Sequence, residues 1–583
     1  MTEQEQILRH STAHVLAQAV LSLWPKGLYA GGPPIENPPG FYYDFDIGRP
    51  FTPADLEKIE VEMARIIAED QRFEQQNVSV AEAMQIFEGQ PYKLEWIAGI
   101  GDDAADQGVE GDEVSIYRNG PGYVDLCRGP HLSSTGQIKA FKLLRTGGAY
   151  WRGSENNPML QRIYGTAWMS QEDLDAFLLL QEEMAKRDHR RIGAELDLFS
   201  FPTEIGGGLP VFHPKGGLIR KLIEDYSRLE HEAAGYEFVW TPHLAKAGLF
   251  ATSGHLEWYA DGMYPPMEME GSAYYPKPMN CPMHSLIYRS RTRSYRELPL
   301  RLFEFGTVYR FERSGVLHGL TRVRGITQDD SHIFCTREQL APELASLLAF
   351  VLKMLRTFGL EEFHAELATR PEKFIGDPAD WDDATEALRQ ALVAADIPYE
   401  VAEGEGAFYA PKIDVHISDA IGRPWQISTL QVDFNLPERF DLEYVAEDGS
   451  RRRPFVIHRA LFGLVERFFG ILVEHYLGAF PTWLSPVQVV IIPIKDSVHG
   501  YAAELAASLK GQGLRVDVDA SNESLGKRVR NAQTSKVPYM IVVGDKEAAA
   551  QTLSVKPRGG EEQRGVTVDD FIRDIRIELD ARS

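Results

Sequence analysis

Cysteine is scarce in this sequence, with three residues among 583, at positions 127, 281 and 335. So few thiols exclude a disulfide framework and favour a reducing compartment. Long apolar runs are also missing: the longest clean one, VQVVII at 487–492, suits a buried strand and is too short to span a bilayer. The opening residues, MTEQEQILRH, are acidic and amide-rich where a signal peptide needs an apolar stretch. We therefore expect a cytoplasmic protein without a membrane partner.

Two common nucleotide-binding patterns are absent as well. The sequence contains no GxxxxGK[ST] P-loop and no GxGxxG after a predicted strand. If ATP binds to this chain, its site is therefore neither a P-loop nor a Rossmann turn. Internal repeats and low-complexity segments are also missing, so a solenoid architecture is not expected.

Positive charge is in deficit, because 61 basic and 85 acidic residues give a net charge of −24. Such a balance counts against nucleic-acid binding, which needs local positive charge. The tail differs, since the segment from Ser485 onward carries 14 Lys or Arg and 14 Asp or Glu. Within it, ESLGKRVRNAQTSK (523–536) crowds four basic residues, which suit either RNA or a solvated helix face. Overall charge does not decide the partner.

The chain is too long for one hydrophobic core, and its patterning predicts several domains. Residues 1–170 mix helices near 5–23 and 53–70 with the strand-like GFYYDFDIG, which predicts an α+β domain. A helical linker follows at 171–196. Residues 197–484 alternate strands and helices around the chemically interesting motifs. The strand–helix alternation of 485–583 predicts an α/β domain with a largely parallel sheet.

Two short stretches carry histidines and a cysteine at helical spacing. HSTAH supplies His10 and His14, and YVDLCRGPH supplies Cys127 and His131. Residues four apart on a helix share a face, so the first pair points to one side. Together the four side chains match either a zinc site or a set of proton-transfer groups.

Two arginines of the middle block stand in contexts that suit phosphate binding. Arg310 lies in the strand-like TVYRFE, on the same strand face as Glu312, and Arg467 follows Glu466 in the apolar GLVERFFG. Guanidinium groups bind phosphate bidentately and keep their charge. An arginine in such a context is more often part of a structural ion pair, so by itself the pattern favours that interpretation over a phosphate site.

The middle block resembles the class II aminoacyl-tRNA synthetases, whose motifs 1, 2 and 3 match, in order, GYEFVWTPH (235–243), LRLFEFGTVYRFE to SHIFC (300–335) and VIHRALFGLVERFFG (456–470). Four further stretches are similar to the threonyl-tRNA synthetase family more narrowly: MNCPMH, TQDDSHIFC, GEGAFYAPKID and IHRA. HSTAH and YVDLCRGPH resemble its editing domain, and the tail resembles its anticodon-binding domain. The resemblance implies an antiparallel-sheet catalytic domain between an α+β editing domain and an α/β anticodon-binding domain.

The resemblance also implies an activity and its residues. Threonine would be activated by ATP and Mg²⁺ to threonyl-adenylate, then transferred to tRNA(Thr) by a homodimer built through motif 1. Catalytic roles would fall on Arg310, Arg467, Lys412 and Gln431. Nucleotide contacts would come from Arg310, Glu312, Arg322, Ile326, Gln426, Thr429 and Arg467. Threonine would be bound by Gln328, Asp330 and Tyr409, and the anticodon by Asn522, Glu547 and Lys556.

The family's catalytic zinc would bind Cys281, His332 and His458. One thiolate and two imidazoles leave the metal an open position, which is typical of a working zinc. Without the resemblance, the CxxH pair of Cys281 and His284 indicates only a buried thiol and a core histidine.

A site that requires the threonine hydroxyl rejects valine by about 10⁴–10⁵, whereas serine, which lacks one methyl group, is rejected only about 10–200-fold.

Serine therefore requires a second, hydrolytic site. By resemblance, we assign it to His10, His14, Asp125, Cys127 and His131. These side chains can position water and move protons without a metal, and we expect a metal-free centre. Because related editing domains share the HxxxH and CxxxH pattern, a metal site is the alternative.

Several positions depart from the family's usual residues. Ile326 replaces a phenylalanine that packs on adenine, and Lys556 replaces an arginine associated with the anticodon. Met283, Ala410 and Ser428 replace smaller residues, and we expect them to add bulk to the pocket. An N-terminal ubiquitin-like domain common in the family is not seen in this sequence. These departures leave two alternatives: an inhibitor-tolerant duplicate of the enzyme, or an RNA-binding regulatory paralogue without aminoacylation. The retained metal ligands and arginines argue against the second.

Overall fold

A computed structural model of the chain describes residues 2–32, 34–35, 39–99, 109–110, 113–120 and 122–582. The chain forms two compact units, Met1–Glu182 and Glu183–Ser583, which divide within the helix Gln171–Arg187. The domain boundaries drawn at 170/171, 196/197 and 484/485 stay predictions. Among the described residues, no helix combines the length and the apolar character that a bilayer span requires.

The first unit is α+β, as predicted. Its helices before the boundary helix are Glu3–Leu23, Pro53–Ala68, Val80–Ile86 and Pro91–Ile97. One antiparallel sheet is formed by Leu28–Tyr29, Pro34–Ile35, Gly40–Asp46, Ala140–Tyr150 and Met159–Trp168. A second antiparallel sheet is formed by Phe73–Ser79, Val109–Glu110, Glu113–Asn119 and Tyr123–Leu126.

The first helix, Glu3–Leu23, confirms the prediction of a helix near 5–23. It begins with a capping box, in which the Thr2 hydroxyl accepts from the Glu5 amide and the Glu5 carboxylate accepts from the Thr2 amide. The helix packs against Pro53–Ala68 and against the strands of the first sheet, which buries most of its circumference. Its histidines therefore point into the unit.

The centre of the second unit is an eight-stranded sheet. In spatial order its strands are Glu237–Phe238, Leu300–Tyr309, Gly325–Cys335, Phe455–Leu464, Pro424–Asp433, Lys412–Ser418, Phe363–Ala368 and Tyr399–Ala402. Neighbours are antiparallel except for the outermost pair at each edge, which is parallel. One apolar core joins the sheet to the helices Pro214–Ala233, Arg337–Thr357, Pro378–Ala395 and Val465–His475. The expected antiparallel catalytic sheet is confirmed.

Shorter elements surround this sheet. The helices are His189–Glu195, Ala247–Thr252, His255–Trp258, Cys281–Arg289 and Asn435–Arg439. The strands are Phe199–Ser200, Val211–Phe212, Leu244–Lys246, Met267–Met269, Ser272–Pro276, Arg293–Ser294, Tyr444–Val445 and Arg451–Arg452.

The predicted helical linker is two helices, because Asp188 ends the first and caps the second through the Arg190 amide at 2.8 Å. The next residue, His189, is fully buried. Its Nδ1 lies 2.7 Å from Glu474 Oε1, and its Nε2 accepts the Leu320 amide at 2.9 Å. One imidazole thus joins the linker, the loop after residue 310 and the end of the helix Val465–His475.

The C-terminal domain has a five-stranded sheet ordered Val516–Val518, Val489–Pro493, Tyr539–Val543, Thr552–Pro557 and Gln563–Thr567. Its helices are His499–Gly511, Leu525–Thr534, Asp545–Ala550 and Val568–Ala581. Only the first three strands are parallel, so the expectation of a largely parallel sheet was wrong for the last two. The connections there are too short for a parallel crossover, which needs a dozen or more residues.

Candidate active site and candidate editing site

A cavity of about 370 Å³ lies on one face of the eight-stranded sheet. Alternate residues of a strand face the same side, so Gln328, Asp330 and His332 reach it together from the strand Gly325–Cys335. The other predicted site residues on its wall are Cys281, Arg310, Tyr409, Lys412, Gln426, Thr429, Gln431, His458 and Arg467. Residues up to 186 positions apart in the sequence thus meet at one cavity.

Two arginines of this cavity lack a protein partner. Arg310 follows the end of the strand Leu300–Tyr309, and Arg467 lies in the first turn of the helix Val465–His475. The Nε atom of each is buried without a hydrogen bond, and neither forms an ion pair within the described part of the chain. Burial, and then the charge of Arg310, lowers the pKa of Arg467. The structural ion-pair interpretation therefore fails, and an anion such as a phosphate suits the gap, aided by the helix N-terminus.

The three predicted zinc ligands lie beside the arginines. Metal-binding atoms of Cys281, His332 and His458 lie within 4.8 Å of one another. Nε2 of His458 lies 2.9 Å from Oδ2 of Asp433. A carboxylate can only accept, so Nε2 of His458 carries the hydrogen and Nδ1 keeps a lone pair.

A buried chain fixes the tautomer of His332 in the same way. Its Nδ1 lies 2.7 Å from Nδ1 of His284, whose Nε2 lies 3.2 Å from Oε1 of Glu304. Burial opposes ionisation of Glu304, but its contacts with His284 and Lys277 hold its pKa below the usual range. His284 therefore donates to Glu304 and accepts from His332, which leaves the lone pair of His332 on Nε2.

The two tautomers have one consequence for the site. Nε2 of His332 and Nδ1 of His458 lie 2.9 Å apart, and each presents a lone pair to the other. Two facing acceptors repel unless a cation binds both. Burial lowers the pKa of His332 well below its ordinary value, which favours the neutral form that binds metals. With the Cys281 thiol beside them, these donors fit Zn²⁺.

Asp414, the last residue of GEGAFYAPKID, holds together side chains on the cavity wall and was not singled out by the sequence analysis. Its Oδ2 accepts from Lys412 Nζ at 2.6 Å, and its Oδ1 accepts from the Thr429 hydroxyl at 2.6 Å. Gln426 in turn donates to Thr429 at 3.3 Å. Three predicted residues are thus linked through one carboxylate.

The second cluster lies in the first unit. His10 and His14 come from the helix Glu3–Leu23, and Cys127 and His131 follow the strand Tyr123–Leu126. Cys127 Sγ lies 3.3 Å from His10 Nε2 and 3.2 Å from His131 Nε2. Burial raises the pKa of Cys127 to about 12 and lowers those of the three histidines. The four predicted residues form one compact, neutral group, whose donor atoms also lie within 4.8 Å.

Asp125 lies behind this group rather than within it. Its Oδ2 accepts from the hydroxyls of Tyr43 and Tyr123 at 2.5 and 2.8 Å and lies 3.6 Å from His14 Nε2. Lys93, which is 1% exposed, forms an ion pair with Oδ1. Sequence reasoning missed Lys93, because a lysine inside PYKLEW looks like any helix-surface residue.

Comparisons with known proteins agree with this geometry. Residues 266–476 match the tRNA synthetase class II core domain (G, H, P, S and T), and 488–577 match an anticodon binding domain. Residues 114–164 match the threonyl and alanyl tRNA synthetase second additional domain. A threonine–tRNA ligase of Streptomyces griseus is 57% identical over 588 residues, 99% of this chain and 89% of that protein. The chain belongs to the threonyl-tRNA synthetases.

Other members of this family are similar over comparable lengths. The threonine–tRNA ligase of Mycolicibacterium smegmatis is 54% identical, covering 98% of this chain and 86% of its own. Among solved structures, the RNA binding domain of threonyl-tRNA synthetase from Cryptosporidium parvum is 36% identical with a TM-score of 0.64, covering 67% of this chain and 98% of its own. Neither the regulatory paralogue nor the inhibitor-tolerant duplicate gains support from these relatives.

Three predicted nucleotide contacts of this synthetase are not among the residues lining the cavity. Glu312 and Arg322 lie in the loop beyond the strand Leu300–Tyr309, where they form an ion pair at 3.0 Å. The expectation that Arg310 and Glu312 share a strand face was wrong, because the strand ends at Tyr309. Ile326 is buried in a small apolar cluster with Val308 and Val323. Their contacts with ATP stay predictions.

The three residues expected to add bulk to the pocket of this threonyl-tRNA synthetase, Met283, Ala410 and Ser428, are not among the residues lining the cavity. Met283 packs with Phe250 and Met263 behind the helix Cys281–Arg289. Ala410 and Ser428 are fully buried. All three side chains are directed into packed interior rather than into the cavity, which corrects the expectation.

The predicted anticodon residues separate into two groups. Asn522 and Glu547 follow the carboxyl ends of the parallel strands Val516–Val518 and Tyr539–Val543, which meet at one sheet edge. Lys556 pairs in register with Met540, near the opposite end of its neighbouring strand. Their roles stay predictions.

Proposed function

We propose that the cavity of the second unit is where this threonine–tRNA ligase activates threonine with ATP. The observation that carries the proposal is the pair of unpartnered arginines, Arg310 and Arg467, beside three metal-binding side chains. The threonine carboxylate attacks the α-phosphate, and pyrophosphate leaves. Both guanidiniums neutralise charge on the phosphates during this step, with Mg²⁺ bound to ATP. Lys412 and Gln431 are held beside them.

We further propose that Cys281, His332 and His458 hold a zinc ion. When bound, zinc supplies an electrophile that accepts the amino group and the hydroxyl of threonine together. Asp330 lines the cavity, and its Oδ2 accepts from Asn280 Nδ2 at 2.9 Å, so we assign its carboxylate to that hydroxyl. Because valine has no hydroxyl, this requirement excludes it.

Serine passes the same requirement, so we assign hydrolysis of Ser-tRNA(Thr) to the cluster of His10, His14, Cys127 and His131. Its neutral imidazoles can take a proton from water, and Asp125 and Lys93 hold the site from behind. A metal-free centre remains our proposal, and a metal held by the same four donors, whose spacing would allow it, is the alternative.

The remaining assignments concern partners. The C-terminal domain would bind the anticodon of tRNA(Thr) through Asn522, Glu547 and Lys556. A homodimer is supported by Trp240, which is 76% exposed beside the edge strand Glu237–Phe238. Free Cys127, Cys281 and Cys335 suit a reducing compartment such as the cytoplasm.

Threonine-dependent ATP–pyrophosphate exchange tests the activation proposal. Arg310→Gln and Arg467→Gln should each abolish exchange, because the buried phosphates lose a charge partner. Arg301→Gln is the matched control, since the Arg301 guanidinium pairs with Glu343 and is not among the residues lining the cavity. Exchange in either variant at the level of the control would reject the proposed phosphate site.

A further inference from the structure

The strand Gly325–Cys335 contains an irregularity next to the proposed threonine site. Asp330 pairs with Ala460, but Gln328 pairs with Leu464, so residues 461–463 stand opposite Asp329 alone. Such a bulge leaves backbone amides without ladder partners. In a buried sheet, an amide left without an acceptor destabilises the fold.

The carboxylate of Asp329 supplies the missing acceptors. Its Oδ1 accepts from the amides of Leu461 at 3.1 Å and Phe462 at 3.0 Å, and its Oδ2 lies 3.1 Å from the Phe462 amide. Arg459 Nη1 lies 3.6 Å from Oδ2, and both side chains are fully buried. Asp329 therefore faces away from the cavity that its neighbour Asp330 lines.

The bulge connects the two halves of the active site. On one strand it lies between Gln328 and Asp330, which both line the cavity. On the other it ends at Gly463, whose φ of +67° is left-handed. A Cβ there would lie 2.7 Å from the Ile427 carbonyl and 2.9 Å from Arg467 Nη2. The helix that carries Arg467 starts two residues later.

We propose that Asp329 is a positioning residue for both substrates: its carboxylate fixes the bulge that directs Gln328 and Asp330 at threonine and starts the helix bearing Arg467. The inference rests on the proposed activation site. Asp329 touches no substrate, so its effect is transmitted through the backbone of residues 461–463.

Asp329→Asn is the primary test. The amide keeps the size of the side chain but offers one acceptor oxygen, and its NH₂ group faces backbone donors. Displacement of about 1 Å at a reacting group costs on the order of 100-fold, so kcat/KM for threonine in pyrophosphate exchange should fall by about that factor. The preference for threonine over valine should fall at least about tenfold, because the residues that recognise the hydroxyl are misplaced.

Asp419→Asn is the matched control. Asp419 is also buried and accepts two backbone amides, of Ile421 and Arg423, at 3.0 Å each, but it closes a hairpin outside the cavity. Asp419→Asn should lower the melting temperature, as Asp329→Asn does. It should leave unchanged the ratio of kcat/KM for threonine to kcat/KM for valine. Equal ratios in the two variants would overturn the inference.

Two further variants separate the possible failures. If Asp330→Asn leaves threonine KM unchanged, the proposed threonine site itself is wrong; if it raises KM while Asp329→Asn does not, only the positioning role is wrong. Should Asp329→Asn fail to fold, Gly463→Ala perturbs the same bulge from the facing strand. It should lower the threonine-to-valine ratio, and an unchanged ratio would contradict the inference.

Discussion

The two histidine–cysteine clusters use the same side chains but support them differently. In the catalytic cluster, which is Cys281, His332 and His458, the outer nitrogen of each imidazole is linked to a carboxylate. His458 contacts Asp433 directly, and His332 reaches Glu304 through His284. Such backing fixes the tautomer and raises the basicity of a metal ligand.

The editing cluster has weaker backing. Nδ1 of His131 lies 3.1 Å from the Ser11 hydroxyl, and Nε2 of His14 lies 3.6 Å from Asp125 Oδ2, which is beyond hydrogen-bond distance. That carboxylate is already held by Lys93 and two tyrosines. The two clusters share their donor spacing and differ in the acceptors behind the imidazoles, and we expect the stronger backing to favour a bound metal in the catalytic cluster.

The largest expected effect comes from removing the catalytic thiol. Cys281→Ala should remove bound zinc and lower the preference for threonine over valine by about 10⁴-fold, the discrimination that a required hydroxyl provides. Pyrophosphate exchange with both amino acids, together with metal analysis, measures it. If the editing cluster also holds a metal, the variant will still carry one zinc per chain.

The corresponding variant in the editing cluster, Cys127→Ala, should affect only the hydrolysis of Ser-tRNA(Thr). Deacylation of Ser-tRNA(Thr) should fall by about 10²–10⁴, the usual contribution of proton-transfer groups, while threonine-dependent exchange stays at the wild-type rate. Accumulation of Ser-tRNA measures the effect. Unchanged deacylation would show that the hydrolytic site lies elsewhere.

An intermediate effect is expected from the carboxylate behind His284. Glu304→Gln should weaken zinc binding by about 10–100-fold, as typical for a partner of a metal ligand. Competition with a chromogenic chelator measures the affinity. Asp125→Asn, the corresponding change behind His14, is the control and should leave zinc affinity unchanged; equal losses would mean that the two clusters do not differ in this way.

The smallest effect concerns pH. Burial lowers the pKa of His10 and places that of His14 well below its ordinary value, so we expect His14 to stay neutral and basic as the pH falls. Deacylation should therefore be constant from pH 7.5 to 6.0. For an imidazole of ordinary pKa, the fraction in the basic form would fall about fourfold over this range. For a zinc-bound water with a pKa near 7, the fraction present as hydroxide would fall about eightfold. The slope of the rate with pH thus tests the metal-free assignment.

The first helix and the C-terminal alternation were predictable because their signals are local: capping residues, periodicity and turn residues within one segment. The proposed zinc ligands were not, since 51 and 126 residues separate Cys281, His332 and His458 in turn. Only the resemblance to a family joined them, and the sheet register pairs His332 with His458.

Residues behind the sites were beyond sequence reasoning altogether. Lys93 belongs to no motif, and Glu304 and Asp414 lie inside LRLFEFGTVYRFE and GEGAFYAPKID without being singled out, because their importance comes from burial and from the side chains they contact in the fold. Asp329 is hidden differently: it stands next to Asp330 in QDD, yet a strand directs neighbours to opposite faces. Ile326 and Met283 were expected at the pocket surface and instead pack into interior clusters.

The placement of the two clusters along the chain also sets an order of assembly. All four members of the editing cluster have been synthesised once residue 131 is translated, within a unit that ends at residue 182. The proposed zinc ligands are complete only at His458, and His189 cannot reach its partner until Glu474 is made. Since N-terminal domains generally fold first during synthesis, each new chain acquires the means to remove a wrong amino acid before it can attach one.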